Sequence, residues 1–145
     1  MAIGTFSLAV IDCPDSAEMA RFYSAITGWP LDAAGSPDTD SPDTDSPDNL
    51  DSSDDSPEHE NWLQLHGPNG ATLAFQEIAD FVRPTWPAGE HPQQLHLDFD
   101  VDDLDRGEAD VLALGARKTD VQPSPDSFRV YLDPAGHPFC LVRAD

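Results

Sequence analysis

The sequence predicts an α+β fold: two βαβββ modules forming a curved mixed sheet around a cleft, with the helices outside. Three observations carry that prediction. Residues 94–115 (QLHLDFDVDDLDRGEADVLALG) switch from apolar residues at alternate positions to apolar residues at helical spacing, so a strand hands over to an amphipathic helix. The order strand, helix, strand, strand, strand occurs twice along the chain. The turn sequences GPNG at 67–70 and DPAG at 133–136 fall at corresponding places in the two copies. At 145 residues the chain fits one domain with room for a real core. Module one is expected over 4–78 with an acidic insertion at 34–60, a linker over 79–93, and module two over 94–145.

Each element has a local reason. Residues 6–12 (FSLAVID) read as a strand that Cys13-Pro14 stops. Asp15, with Glu18 three positions on, starts a helix whose buried stripe is Met19, Phe22, Tyr23 and Ile26, and Gly28 ends it. A strand is expected to begin at Trp29. The stretch SPDTD-SPDTD-SPD then repeats from Ser36, and its prolines and carboxylates leave too little apolar surface to offset the entropy of ordering. It is expected to be an exposed insertion; its carboxylates lack the glycine turn and closing glutamate of a calcium loop. Asn61–His66 and Thr72–Glu77 alternate as strands on either side of the GPNG turn. In the second copy, Asp102 and Asp103 start the helix, Leu104, Val111 and Leu112 are its apolar stripe, and Gly115 follows. Short strands are expected at 116–121, 127–132 and 138–142.

Charge and composition narrow the function. The formal charge is −21, with 11 of the 28 acids and no Lys or Arg in residues 31–60. Elsewhere 17 acids face 7 bases, a balance of −10. Such a surface disfavours nucleic acid and anionic membrane as partners and favours a neutral or cationic small molecule. No apolar run has the length of a membrane span or a signal core. Cys13 and Cys140 sit in apolar strand contexts without framework spacing, which reads as a reduced, cytoplasmic protein. No Ser-His-Asp order, phosphate-cradling glycine loop or dinucleotide fingerprint is present.

Alternation also selects the cleft face. Leu8, Val10, Trp62, Gln64, His66, Ala74, Gln76, His96, Asp98, Phe128, Val130 and Cys140 all point away from the helix-covered side. Of these, Val10, Trp62, Gln64, His66, Gln76, Phe128 and Val130 are the expected ligand-binding residues. They give aromatic and aliphatic walls with a few polar groups. His96 and Asp98 share a strand face at i and i+2, and are the expected catalytic acid–base pair if the protein is an enzyme. Against these stand plainer readings: a hydrogen-bonded strand histidine for His96, a small buried apolar residue for Cys140, and an exposed side chain for His137.

The segments LAVIDCPDSAEMARFYSAITGW, LHLDFDVDDLDRGEADVLALGA and YLDPAGHPFCLV resemble the vicinal oxygen chelate superfamily, which includes glyoxalase I, bleomycin-resistance proteins and extradiol dioxygenases. The resemblance spans nearly the whole chain outside 34–60 and looks closest to small bacterial glyoxalase-like proteins. It implies metal-ligand slots near Leu8, Ala74, His96 and Cys140. Two of these are hydrocarbon and one is a thiol. A set of His96, Cys140 and Gln76, or His66 in place of Gln76, would be needed to hold a divalent metal such as Zn, Ni, Fe or Mn. The reading preferred here is a small-molecule-binding protein with a degenerate metal site and no cofactor, with Trp62 stacking on the ligand and Asp98 supplying charge. The alternative is a metal-dependent lyase or isomerase, or a dioxygenase-like enzyme, using the same cleft. The resemblance also implies a homodimer.

Overall fold

The computed structural model describes residues 2–31 and 61–145; the acidic repeat expected to form an exposed insertion lies outside them. Module one consists of β1 (Ala9–Cys13), α1 (Ser16–Thr27), β2 (Trp62–His66) and β3 (Thr72–Glu77). Module two consists of β4 (Leu97–Val101), α2 (Leu104–Ala113), β5 (Arg117–Lys118), β6 (Phe128–Leu132) and β7 (Pro138–Arg143). The sheets have orders β1-β3-β2 and β4-β7-β6-β5. In each the first strand runs parallel to the last, and the last two strands run antiparallel. An antiparallel bridge from Leu31 to Leu65 adds a fourth position beyond β2, matching β5 in module two. The fold is therefore α+β with a doubled module. Among the described residues, no hydrogen-bonded strand pair joins the two sheets.

Boundaries shift where backbone partners run out. β1 begins at Ala9 rather than Phe6, because its register pairs Ala9 with Leu73, one residue inside the start of β3. A longer β1 would run past its partner into the GPNG turn, and Phe6 is exposed. The strand expected from Trp29 is only the Leu31 bridge among the described residues. β5 is two residues long because the Gln122 side chain takes over the edge of β6: its Oε1 accepts from the Val130 N–H at 2.9 Å and its Nε2 donates to the Val130 carbonyl at 2.8 Å.

Both helices start where the carboxylates predict. Asp15 accepts from the Glu18 N–H at 2.8 Å, and Asp103 accepts from the N–H groups of Asp105 and Arg106. α1 ends at Gly28, whose φ of 72° is left-handed backbone that suits glycine. One core joins the modules. Tyr23 of α1 stacks on Phe75 of β3 at 5.6 Å between centroids, and its ring also meets Phe99 and Phe139 of module two. Phe139 in turn contacts Phe22, Tyr131 and Phe99. α2 adds Leu104 and Val111 to the same core. Since the helix-bearing faces meet in this core, the opposite sheet faces are the ones left for a ligand.

Candidate functional site

Strand register fixes which side chains share the bare faces. In module one, Val10, Ala74 and Gln64 form one cross-strand row, and Asp12, Gln76 and Trp62 the next. Alternate residues Ile11 and Cys13 are buried in the core. In module two, Asp98, Cys140 and Val130 form one row, and Asp100, Val142 and Phe128 the next, while Phe99, Tyr131, Phe139 and Leu141 pack in the core. The linker after β3 passes along both faces and turns them into two hollows.

The larger hollow, about 490 Å³, lies beside β1. Its walls are Val10, Ile78, Phe81, Val82, Pro84, Pro92 and Leu95, and its polar groups are Asp12, Glu90, His91, Gln94 and His137. This is the make-up of a small-molecule site, apolar walls with a few convergent polar groups. Two carboxylates and no Lys or Arg line it. His137 is built into it: Nε2 stands 2.7 Å from the Asp12 carbonyl oxygen and so donates, and the ring meets Phe81 edge-on at 5.5 Å. Its backbone N–H donates to Asp133 Oδ1 at 2.9 Å. His137 is thus half-buried and bonded across the two modules, not the exposed side chain expected.

The smaller hollow, about 240 Å³, lies on module two and is lined by Trp86, Gln93, His96, Pro123, Phe128, Val130, Pro138 and Cys140. His96 immediately precedes β4, and its Nε2 stands 3.7 Å from Asp98 Oδ1, with both side chains about half exposed. At that separation the two side chains are neighbours without a hydrogen bond between them. Burial pushes the Cys140 thiol up to about 11, and the Asp98 carboxylate beside it acts in the same direction. The thiol therefore stays protonated at neutral pH. Both cysteines are free and buried.

The expected site residues are divided among these places. Val10 lines the larger hollow, and His96, Phe128, Val130 and Cys140 line the smaller one. Trp62, Gln64, His66 and Gln76 share the bare face of module one with Val10 but line neither hollow. The metal set is divided in the same way: His96 and Cys140 meet in one hollow, and Gln76 stands exposed on the other sheet. Among the described residues, no three His, Cys, Asp or Glu side chains gather closely enough to hold a metal ion. His96, Cys140 and Gln76 are thus not brought together in one place.

Two βαβββ modules that share one core and turn their bare faces to a common linker define a doubled-module class of small α+β domains. Residues 9–142 match the family model for the glyoxalase-like domain, and the chain belongs to that family within the vicinal oxygen chelate superfamily. Comparison with curated protein sequences finds no match. Among solved structures, the fosfomycin resistance protein FosX from Mesorhizobium loti is similar over 100% of this chain and 94% of its own, with a TM-score of 0.61 and 17% identity. The antibiotic binding protein TnmS3 from Streptomyces sp. CB03234 is similar over 100% of this chain and 99% of its own, with a TM-score of 0.55 and 18% identity. FosX from Listeria monocytogenes has a TM-score of 0.60 at 13% identity, over 99% of this chain and 94% of its own. At such identities the likeness is one of fold. No described helix is long and apolar enough to cross a membrane.

Proposed function

We propose that this is a small-molecule-binding protein of the glyoxalase and bleomycin-resistance type with a degenerate metal site, and that its ligand is an organic cation with an aromatic or aliphatic body. The observation that carries this reading is the larger hollow. Its volume of about 490 Å³ falls in the range of small-molecule sites. Asp12 and Glu90 line it with no Lys or Arg, and Phe81 supplies an aromatic ring whose face attracts a cation. The antibiotic binding and fosfomycin resistance proteins of the same fold support binding of a small molecule as the task. Hydrocarbon at Leu8 and Ala74, two of the family's ligand slots, supports loss of the metal. His96 and Asp98 serve in this reading as polar neighbours of the smaller hollow. Pairing of two copies belongs to the same proposal; β1 and β4 are edge strands, and Ile3 and Phe6 are exposed beside β1.

Titration calorimetry with benzyltrimethylammonium tests the reading. Binding is expected, weakened about tenfold in Asp12→Asn/Glu90→Gln as two charge contacts are lost. Equal or tighter binding of benzoate would overturn it. Protein purified without chelator serves as the second arm. Stoichiometric Zn, Ni, Fe or Mn that disappears in His96→Ala would replace this reading with that of a metal-dependent enzyme.

A further inference from the structure

The smaller hollow contains a group that the fold leaves without a partner. Gln93 lines it, and its Oε1 is buried and accepts no hydrogen bond. A buried amide oxygen left unpaired costs on the order of 1–3 kcal/mol, so native proteins rarely keep one without a use. The surroundings are otherwise apolar: Trp86, Phe128, Val130, Pro123 and Pro138. The Cys140 thiol faces Asp98 and is protonated.

We infer that this hollow is a ligand subsite in which Gln93 Oε1 accepts a hydrogen bond from an N–H or O–H on an aromatic ring. The inference rests on the cleft being a ligand site and adds a recognition group and a chemical class to it. Size favours a single ring: an apolar cavity of about 150 Å³ takes one benzene, so 240 Å³ holds a ring with a substituent. Trp86 and Phe128 supply aromatic contact for such a ring. With the amide oxygen turned into the hollow, the sign of the polar group follows. A carboxylate or phosphate would set its lone pairs against Gln93 Oε1 and lie near the Asp98 carboxylate, whereas a phenol or aromatic amine brings the missing donor. Gln93 is then a specificity-determining residue, in a linker whose neighbours Pro92 and Gln94 line the other hollow.

The test is ligand-observed NMR titration of phenol, toluene and benzoate against the full chain and Gln93→Met, which keeps side-chain length and removes the acceptor. Phenol is expected to bind about tenfold more tightly than toluene, with benzoate weakest, and Gln93→Met to erase the phenol preference. Equal binding of phenol and toluene by the parent protein overturns the inference, as does a preference that survives in Gln93→Met. Thermal melting gives an independent arm. Because an orphan acceptor is removed, Gln93→Met should melt at the same temperature as the parent or higher. A clear drop would mean that the oxygen is already satisfied in the free protein, by water or otherwise, and would overturn the inference too. Failure here with benzyltrimethylammonium still bound leaves the proposed function standing; loss of both probes removes the ligand-site reading itself.

Discussion

The Tyr23 hydroxyl donates to Asp133 Oδ2 across 2.6 Å, tying α1 of module one to the turn before β7 of module two. Asp133 Oδ1 accepts from the N–H groups of Ala135 at 3.0 Å and His137 at 2.9 Å. One buried carboxylate therefore closes the DPAG turn, holds the backbone of a histidine in the larger hollow, and links the two modules through Tyr23. Burial raises its pKa, and the hydrogen bonds from Tyr23 and the turn oppose that rise. Burial first, and then the neighbouring carboxylate, raise the Tyr23 hydroxyl well above its ordinary value.

Tyr23→Phe leaves that carboxylate buried with one oxygen unpaired. The expected cost is about 2 kcal/mol, a fall in Tm of roughly 6 °C for a domain of this size. A carboxyl whose folded pKa is raised opposes folding more as pH increases through that pKa, so losing a donor hurts most at neutral pH. The Tm deficit of Tyr23→Phe should be larger at pH 7 than near pH 5. A deficit that does not change with pH would mean that only packing was lost.

Glu108 on α2 titrates in the opposite sense. Desolvation raises its pKa, but hydrogen bonds from Lys118, Tyr131 and Arg129 outweigh it and hold the group below its ordinary 4.5. The contacts are short: Lys118 Nζ at 2.9 Å, Arg129 Nη1 at 3.0 Å and the Tyr131 hydroxyl at 2.9 Å. A depressed carboxyl adds stability that is complete above the unfolded pKa and lost as pH falls through the folded one. Glu108→Gln should therefore melt below the parent at pH 7, and the gap should close as pH falls below 4.5. Thermal melts at pH 7, 5 and 3 check this; a gap still open at the lowest pH counts against it.

The repeat of modules was legible because its signal is local. Alternation of Leu97 and Phe99 with Asp98 and Asp100, carboxylate caps at Asp15 and Asp103, and Gly28 after α1 each have a direct physical cause. Cross-strand rows were legible too: Asp98, Cys140 and Val130 share a face by alternation alone, and so do Val10 and Asp12, although Asp12 was not picked out. The hollows were legible only in part, through the linker aromatics Phe81 and Trp86, which the sequence offers as a closed end of the cleft. They are closed by Phe81, Trp86, His91 and Gln93, which lie in a Pro-rich stretch with no period to say which side chain turns which way. His137 was missed for a different reason. Its place depends on a bond to the Asp12 carbonyl, 125 residues earlier in the chain, and no local pattern encodes such a contact.

Gly136 offers a test of the same turn. Its φ of 92° is left-handed, and a Cβ there would meet the Arg83 side chain, whose Nη2 donates to the Pro134 carbonyl at 3.3 Å. The arginine is flexible and can move aside, so backbone strain dominates the cost. Gly136→Ala should lower stability by about 1–2 kcal/mol, read as a shifted urea midpoint with unchanged slope. Gly115 at φ 101° with open space around its Cβ is the control, because there Ala brings strain without a clash.

Gln122 makes the strongest link between fold and binding wall. Its amide replaces a strand partner for Val130, taking the N–H at 2.9 Å and the carbonyl at 2.8 Å, and Val130 lines the smaller hollow. The same Nε2 lies 3.0 Å from both the carbonyl and the hydroxyl of Thr119, so one side chain holds the β5–β6 connection to the sheet edge. Gln122→Ala leaves the Val130 N–H without its acceptor, while the Val130 carbonyl keeps the Thr119 N–H at 3.2 Å and the Thr119 hydroxyl at 3.1 Å. The expected loss is about 1–2 kcal/mol, with faster amide exchange at Val130 than at Leu141, which lies in β7 and pairs with its neighbours on both sides. Gln122→Glu separates geometry from chemistry: the carboxylate can still accept from the Val130 N–H but meets the Val130 carbonyl with a lone pair. It should recover less than half of the lost stability. Full recovery would mean that the carbonyl's bond contributes nothing and that β6 holds its place in the wall without the amide.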